Sequence, residues 1–292
     1  MPRTPAGLVL AEQGPPSPRR RAVLRVFAAT LVLVVAVAGY VGVRTILAGF
    51  SPPACWTASP ATHVEVSPEQ AGNAATISAV ALSRGLSNRA ATIAIATAMQ
   101  ESKLRNLRFG DRDSVGLFQQ RPSQGWGTVE QILDPVYASN AFYDKLVKVK
   151  DYLTRPLTEV AQEVQRSAAP TAYAQHEDEA QALAAALTGT APATLVCRLD
   201  PPSSRSSSAA VRSAISSEFG ATSTASGSTV RVSADGPSAW AVAAWAVARG
   251  EALGVERVEV GGRSWSRGDP GSWSSTAAST TGTVSITLVP VP

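Results

Sequence analysis

Glu101 is the residue whose setting best suits acid catalysis. It follows a run of small and apolar residues, 90–99, and fifteen positions after it the chain reads Gly116-Leu117-Phe118-Gln119. General acid catalysis requires a carboxylic acid that still holds its proton near neutral pH, and the alternative for Glu101 is an ordinary solvated or arginine-paired carboxylate at a helix end. A carboxyl that follows an apolar helix and lies beside Phe118 can have its pKa raised by desolvation. Glu101 is therefore the candidate general acid.

Two aspartates between these motifs could supply a second carboxylate. Asp111 and Asp113 stand beside Arg108 and Arg112. Because loop aspartates with arginine neighbours more often form turns and ion pairs, we favour a structural role for both. The two histidines and two cysteines of the chain show no metal-ligand spacing, so we predict neither a metal site nor a cofactor.

Helical patterns surround Glu101. A capping box, Ser67-Pro68-Glu69-Gln70, begins one helix and Gly85 ends it. A second helix, apolar enough to be buried on all sides, leads to Glu101. The predicted helices cover residues 68–84, 88–103, 128–133, 134–152, 157–168 and 177–187, and a structured loop covers 105–126. The sequence thus predicts an all-α domain over residues 67–198.

Glu101-Ser102, spaced from the Gly116 motif in this way, resembles the signature of the lytic transglycosylase branch of the lysozyme superfamily. The likeness covers residues 77–168 and includes Ile132-Leu133-Asp134-Pro135, Asn140, Phe142-Tyr143 and Leu146. It implies a lysozyme-like fold in which Glu101 acts first as acid and then as base while a muramyl 6-hydroxyl attacks. The side chains implied in glycan binding or in orienting the acid are Ser102, Gly116, Leu117, Phe118, Gln119, Gln120, Trp126 and Gln165.

One stretch departs from the family pattern. The family has a Tyr-Asn pair on a later helix, and its tyrosine helps to hold the catalytic glutamate. The aligned residues here are Val164-Gln165-Arg166-Ser167-Ala168. Gln165 is the candidate substitute, because Tyr173 follows at least six residues too late unless a loop brings it in. The departure weakens the expectation of turnover more than the expectation of the fold.

The N-terminal region predicts a membrane anchor. Residues 26–43 carry no charge and, at helical rise, span about 27 Å of hydrocarbon. Five arginines lie within residues 1–25 and only Arg44 closely follows the segment, so the positive-inside rule places the N-terminus in the cytoplasm and the body outside. A cleaved signal peptide is the alternative. We assign residues 1–21 to a disordered tail, 22–48 to the anchor and 49–66 to a linker.

Cys55 and Cys197 flank the helical region. They are the only cysteines of the chain, and in an oxidising compartment such a pair predicts a disulfide. The residues before Cys55 do not form a lipoprotein site.

The C-terminal region predicts a second, small α+β domain, residues 210–292, after a Pro- and Ser-rich linker, 199–209. Helical periodicity marks residues 211–219 and 239–248, and alternation marks strands at 230–232, 258–260 and 284–288. We expect at least two of its tryptophans, Trp240, Trp245, Trp265 and Trp273, to lie in its core. The predicted fold is therefore an all-α lysozyme-like domain after one N-terminal transmembrane helix, plus this small C-terminal α+β domain.

Charge and composition limit the function. Residues 1–25 carry the whole net charge of +4, which leaves no basic surface elsewhere for nucleic acid. The favoured hypothesis is an enzyme of actinobacterial type that cleaves peptidoglycan glycan strands from a membrane tether, with an envelope protein as a partner of the C-terminal domain. One alternative is a non-catalytic peptidoglycan-binding or scaffold protein. Another is a metal transporter, which a single anchor without a ligand cluster argues against.

Overall fold

The chain forms two units, Met1–Pro52 and Pro53–Pro292. The computed structural model describes residues 18–49, 52–58, 62–167, 171–201, 206–277 and 282–289. Most of the expected disordered tail, residues 1–17, and residues 202–205 of the predicted Pro- and Ser-rich linker lie outside these ranges.

The first unit contains one long helix, α1 (Pro18–Gly49). Its segment Val26–Arg44 has a mean hydropathy of 2.5, and none of this segment is buried within the protein. Nineteen residues at helical rise span about 28 Å, close to the thickness of a bilayer's hydrocarbon core. The helix is thus a candidate membrane anchor, as the sequence predicted.

The second unit begins with two short strands and a helical region. Ser67 accepts a hydrogen bond from the backbone of Gln70, whose side chain bonds back to Ser67, so the predicted capping box starts the first helix of the region. The elements are β1 (Ala54–Thr57), β2 (Glu65–Val66), α2 (Pro68–Ser83), α3 (Asn88–Ser102), α4 (Val129–Ile132), α5 (Pro135–Leu146), α6 (Leu157–Gln165), α7 (Glu177–Leu187) and β3 (Leu195–Arg198).

Helix ends agree best with prediction where a local signal marks them. The ends of α2, α3 and α7 fall within about one residue of the expected positions. Helix α5 stops at Leu146 instead of continuing to residue 152, and turns follow, including Asp151 in the left-handed region at φ 56°. Helix α6 stops at Gln165 because Arg166 also takes a left-handed conformation.

A three-stranded sheet of order β2-β1-β3 corrects the expectation of an all-α body. Strand β1 falls in the predicted linker, and β3 lies after the last helix. Strands of two to four residues are too short to show alternation in sequence. Cys55 and Cys197 face each other across the β1–β3 pair and form the predicted disulfide.

The C-terminal region combines helices with a sheet, as predicted. Its elements are α8 (Ser208–Phe219), β4 (Thr224–Ser226), β5 (Thr229–Ser233), α9 (Gly236–Ala248), α10 (Gly250–Leu253), β6 (Val255–Val260), β7 (Arg263–Ser266), β8 (Asp269–Ser275) and β9 (Thr283–Leu288). The sheet has the order β4-β5-β9-β6-β7-β8, and all its pairings are antiparallel. Strands β5, β6 and β9 are the three that the alternation predicted. Trp245, Trp265 and Trp273 are buried, which confirms their place in the core.

The C-terminal region packs directly on the helical region. Helix α9 contacts α2, α7 and β3 as well as β6 and β9, which explains why Ala and Val bury almost its whole surface. The indole Nε1 of Trp273 donates to the carbonyl oxygen of Leu195 at 2.9 Å. Gly189, just after α7, lies so close to the N-terminus of α9 that an added Cβ would stand 1.9 Å from the carbonyl oxygen of Pro237. The two regions therefore share one compact unit.

Replacing Gly189 by alanine tests this packing. Both Gly189 and Gly85 have positive φ, 76° and 66°, but a Cβ on Gly85 meets no atom within 4 Å. We expect Gly85→Ala to lower the free energy of unfolding by about 1 kcal/mol, the conformational cost alone, and Gly189→Ala by about 3 kcal/mol or more because backbone must also move. Urea denaturation of residues 53–292 measures both. Equal effects would contradict the contact with Pro237.

Removing the disulfide tests how far it stabilises the second unit. It closes a loop with a sequence separation of 142, for which the chain-entropy treatment gives about 5 kcal/mol. We expect the Cys55→Ala/Cys197→Ala double variant to lose about 2–5 kcal/mol in free energy of unfolding, measured by urea denaturation. Adding reductant to the wild type should reproduce the loss, and it should leave the double variant unchanged. If reductant lowered the free energy of unfolding equally in both proteins, the disulfide would not be the source of the stabilisation.

Candidate active site

Glu101 lies in the last turn of α3, at the edge of the core. The preceding turns of α3 are buried, from Ala90 to Ala98. The chain leaves the helix through two left-handed residues, Lys103 and Leu104. Two side-chain amides of α2 donate to the carbonyl oxygens of these residues. Gln70 donates to Lys103 and Asn73 donates to Leu104, each at 2.8 Å. Helix α2 thereby fixes the position at which α3 ends.

The carboxylate of Glu101 is held by two neutral donors. The hydroxyl of Tyr173 donates to its Oε1 at 2.7 Å, and the side-chain amide of Gln165 donates as well. Burial raises the pKa of Glu101 above its ordinary value, while the hydrogen bonds from Tyr173 and Gln165 partly offset that rise. The Glu101 carboxyl therefore keeps its proton to a higher pH than a fully solvated glutamate does.

Tyr173 is the site residue that the sequence analysis placed too late in the chain. It is fully buried and lies directly before a 3₁₀ turn, Ala174–His176. The turn is attached to α3 next to Glu101, because Gln175 donates to the Gln100 side chain at 3.0 Å and His176 contacts the same oxygen at 3.2 Å. The connection after α6 therefore brings a tyrosine back to the acid by a route longer than the family pattern implies.

The loop with the Gly116 motif is tied to the acid's helix through backbone contacts. Ser102, beside Glu101, donates to the carbonyl oxygen of Leu117 at 2.7 Å. Gly116 has a φ of 80°, and a Cβ there would lie 2.7 Å from the carbonyl oxygen of Ile132, so glycine is required for both reasons. Gln165 donates to the carbonyl oxygen of Phe118 at 2.7 Å. Ser102 and Gln165 thus orient the loop, and Gln165 links it to Glu101.

Three of the side chains expected to bind glycan or to orient the acid lie in the core. Leu117 and Phe118 are fully buried, and Phe118 stacks on Phe142 with ring centroids 4.7 Å apart. Gln120 is also buried and donates to the carbonyl oxygen of Ala138 at 3.1 Å. Because they do not reach solvent, these side chains support the loop from within. Gln119 is half-buried and folds back on the carbonyl oxygen of Gly116 at 3.2 Å.

Trp126 forms part of a cavity wall beside Gln165. Its ring is 6% exposed, and the ammonium nitrogen of Lys145 lies 3.1 Å from the ring centroid. The cavity has a volume of about 440 Å³. Its lining residues are Gln124, Trp126, Lys145, Lys148, Val149, Glu163, Val164, Gln165 and Arg166. Gln165 therefore contacts the acid and also lines the neighbouring cavity.

The loop aspartates make the structural contacts that the sequence favoured. Asp113 accepts hydrogen bonds from the backbone of Ser123 at 2.8 Å and from Nε of Arg121 at 2.7 Å, and these bonds hold its pKa well below the usual range. Asp111 is exposed and pairs with Arg112 at 3.9 Å. Among the residues that the structure describes, no group of three or more His, Cys, Asp and Glu side chains could hold a metal ion.

Comparison with known proteins leaves the site to be interpreted from its own geometry: no protein-family model and no curated protein matches the chain.

Replacing Glu101 by glutamine should change the pH dependence of stability. The folded state holds the Glu101 proton more tightly than the unfolded chain does, so this stabilising contribution is complete below about pH 4.5 and is lost as the pH rises through the folded-state pKa. Glutamine carries no charge to desolvate. We expect the free energy of unfolding of Glu101→Gln to match that of the wild type in acid and to exceed it at pH 8.

Urea denaturation of residues 53–292 between pH 4 and pH 8 measures this difference. Glu130→Gln, which changes an exposed glutamate on α4, is the matched control. A difference between Glu101→Gln and the wild type that does not vary with pH would contradict the raised pKa.

Proposed function

We propose that the protein is a membrane-anchored lytic transglycosylase of the lysozyme superfamily that cleaves peptidoglycan glycan strands outside the cytoplasm. The observation that carries the proposal is the partly buried carboxyl of Glu101, which accepts a hydrogen bond from Tyr173 at 2.7 Å beside the Gly116 loop. The family pattern has a tyrosine that holds the acid, and residues 164–168 lack one. Tyr173 makes this contact from a later position in the chain, which favours turnover.

The proposed reaction uses Glu101 in both of its protonation states. The protonated carboxyl gives its proton to the glycosidic oxygen as the bond between that oxygen and the muramyl C1 breaks. The 6-hydroxyl of the same muramyl residue then attacks C1 and gives its proton to the Glu101 carboxylate, which restores the acid. The products are a new chain end and a 1,6-anhydromuramyl end, and no water is consumed.

Tyr173 and Gln165 would adjust the acid for these two roles. Burial favours the protonated form needed in the first step, and neutral donors stabilise the carboxylate formed in it. Because Asp113 is engaged by Arg121 and Ser123, the loop does not offer it as the second carboxylate of a hydrolase. An intramolecular hydroxyl as nucleophile needs no such group.

The anchor and the disulfide support an extracytoplasmic location. The arginines before the apolar segment Val26–Arg44 favour an N-terminus in the cytoplasm, which would place Pro53–Pro292 outside. A disulfide between Cys55 and Cys197 suits the oxidising conditions there. A tether would confine glycan cleavage to the layer of wall nearest the membrane.

Product analysis with matched variants tests the proposal. The full-length protein in detergent micelles is incubated with purified peptidoglycan, and released fragments are identified by mass spectrometry. We expect 1,6-anhydromuramyl ends from the wild type, and a loss of about 10²–10⁴-fold in rate for Glu101→Gln. Glu130→Gln is the control for loss of a carboxylate.

Tyr173→Phe tests the role of the hydroxyl apart from the fold. We expect kcat to fall by about tenfold or more with little change in KM, because Tyr173 bonds to the acid and is itself buried. Losing this donor also raises the Glu101 pKa further, so the alkaline limb of the rate profile should move to higher pH. An unchanged profile would contradict the assigned role.

Two results would overturn the proposed activity. Products with reducing muramyl ends would indicate hydrolysis by water instead. Binding of glycan without any cleavage would identify a non-catalytic wall-binding or scaffold protein.

A further inference from the structure

The cavity beside Gln165 has an unusual concentration of positive charge. It lies where the C-terminal ends of α5 and α6 meet, and three of its lining residues are cationic: Lys145, Lys148 and Arg166. Within the part of the chain that the structure describes, none of the three forms an ion pair. What sets the three cations apart is that they line one cavity together.

The one acidic residue of the cavity does not neutralise the cluster. Glu163 is engaged by Arg155, whose guanidinium nitrogen lies 2.8 Å from its Oε2. Burial, followed by repulsion from Arg166 and Lys148, lowers the pKa of Lys145. Repulsion among the three cations is destabilising, and a bound anion would relieve it.

The other walls position a cation and add a polar group. Trp126 is buried and holds the Lys145 ammonium over its ring, and Gln124 contributes a polar amide. The volume of about 440 Å³ falls in the range of small-ligand sites. Gln165 lies between this cavity and Glu101, so a group bound here would adjoin the residue undergoing cleavage.

We infer that this cavity is an anion subsite, which binds a carboxylate carried by the glycan strand next to the bond that Glu101 acts on. The inference rests on the proposed function, and it names the substrate feature that the site recognises. Every muramyl residue bears a lactyl group, which ends in a free carboxylate on a bare strand. On a substituted strand the lactyl group is joined to a peptide, and the peptide supplies the carboxylates.

Direct binding separates these sources. The full-length Glu101→Gln protein in detergent micelles keeps the glycan intact, and calorimetry measures its affinity. The probes are GlcNAc–MurNAc oligosaccharides with free lactyl carboxylates, the same oligosaccharides with lactyl methylamides, and strands that carry stem peptides. One of the two acidic probes, with free lactyl groups or with stem peptides, should carry the carboxylate that the subsite binds. We expect the methylamide probe to bind about tenfold more weakly than that probe.

Charge variants then locate the subsite. Adding Lys148→Gln and Arg166→Gln should weaken binding of that acidic probe by about tenfold and leave binding of the methylamide probe unchanged. Lys150→Gln is the matched control, because Lys150 is exposed nearby and does not line the cavity. Lys145 is left in place because it packs on Trp126.

The outcomes distinguish failure of the anion subsite from failure of the proposed glycan function. Preference for the free lactyl probe assigns the subsite to bare strands, and preference for the peptide probe assigns it to a stem carboxylate. Equal binding of acidic and methylamide probes, or equal effects of the Lys148/Arg166 and Lys150 variants, would overturn the subsite and leave the proposed glycan function standing. Failure of every probe to bind would overturn both.

Discussion

Burial of α3 is the constraint on which the rest of this structure depends. A helix made of small apolar residues between Ala90 and Ala98 must be covered on all sides, and its end brings the Glu101 carboxyl to the edge of that core. The desolvation that raises the pKa of Glu101 is a consequence of this position. Two amides of α2 bind the carbonyl oxygens where α3 stops, and the hydroxyl of Ser102 accepts a hydrogen bond from the backbone of Arg105 there.

The candidate site is assembled from segments distant in sequence, and short polar contacts join them. Ser102 and Gln165 bind backbone carbonyls of the Gly116 loop, and Tyr173 and Gln165 both bind Glu101. Buried hydrogen bonds of this kind are costly to leave unmade, so they favour one arrangement of loop, helix and acid over others. The aromatic stack of Phe118 on Phe142 supports the same loop from the core side.

The C-terminal region belongs to the same energetic unit as the helices that carry the site. Helix α2 contacts α3 and also α9, and the amides that fix the end of α3 come from α2. Strands β6 and β9 of the six-stranded sheet pack on α9, whose surface is apolar almost all round. The disulfide joins β1 to β3 across the ends of the helical region, and Trp273 bonds to β3. Support for the acid therefore extends through α2 into the C-terminal region.

The sequence by itself determined the features that depend on local pattern. The capping box at Ser67, the position of Glu101 at a helix end, the alternating strands, the candidate anchor and the disulfide could all be inferred, because each depends on residue type and spacing alone. Tertiary structure decided which side chains meet. Tyr173 reaches Glu101 only because Gln100 holds its turn against α3, and Leu117, Phe118 and Gln120 point into the core because the loop folds over Phe142 and Ala138. The short strands β1, β2 and β3 form only by pairing with one another in their sheet. Contacts between residues far apart in the chain leave no periodic signal in sequence, and for that reason only the folded chain could place them.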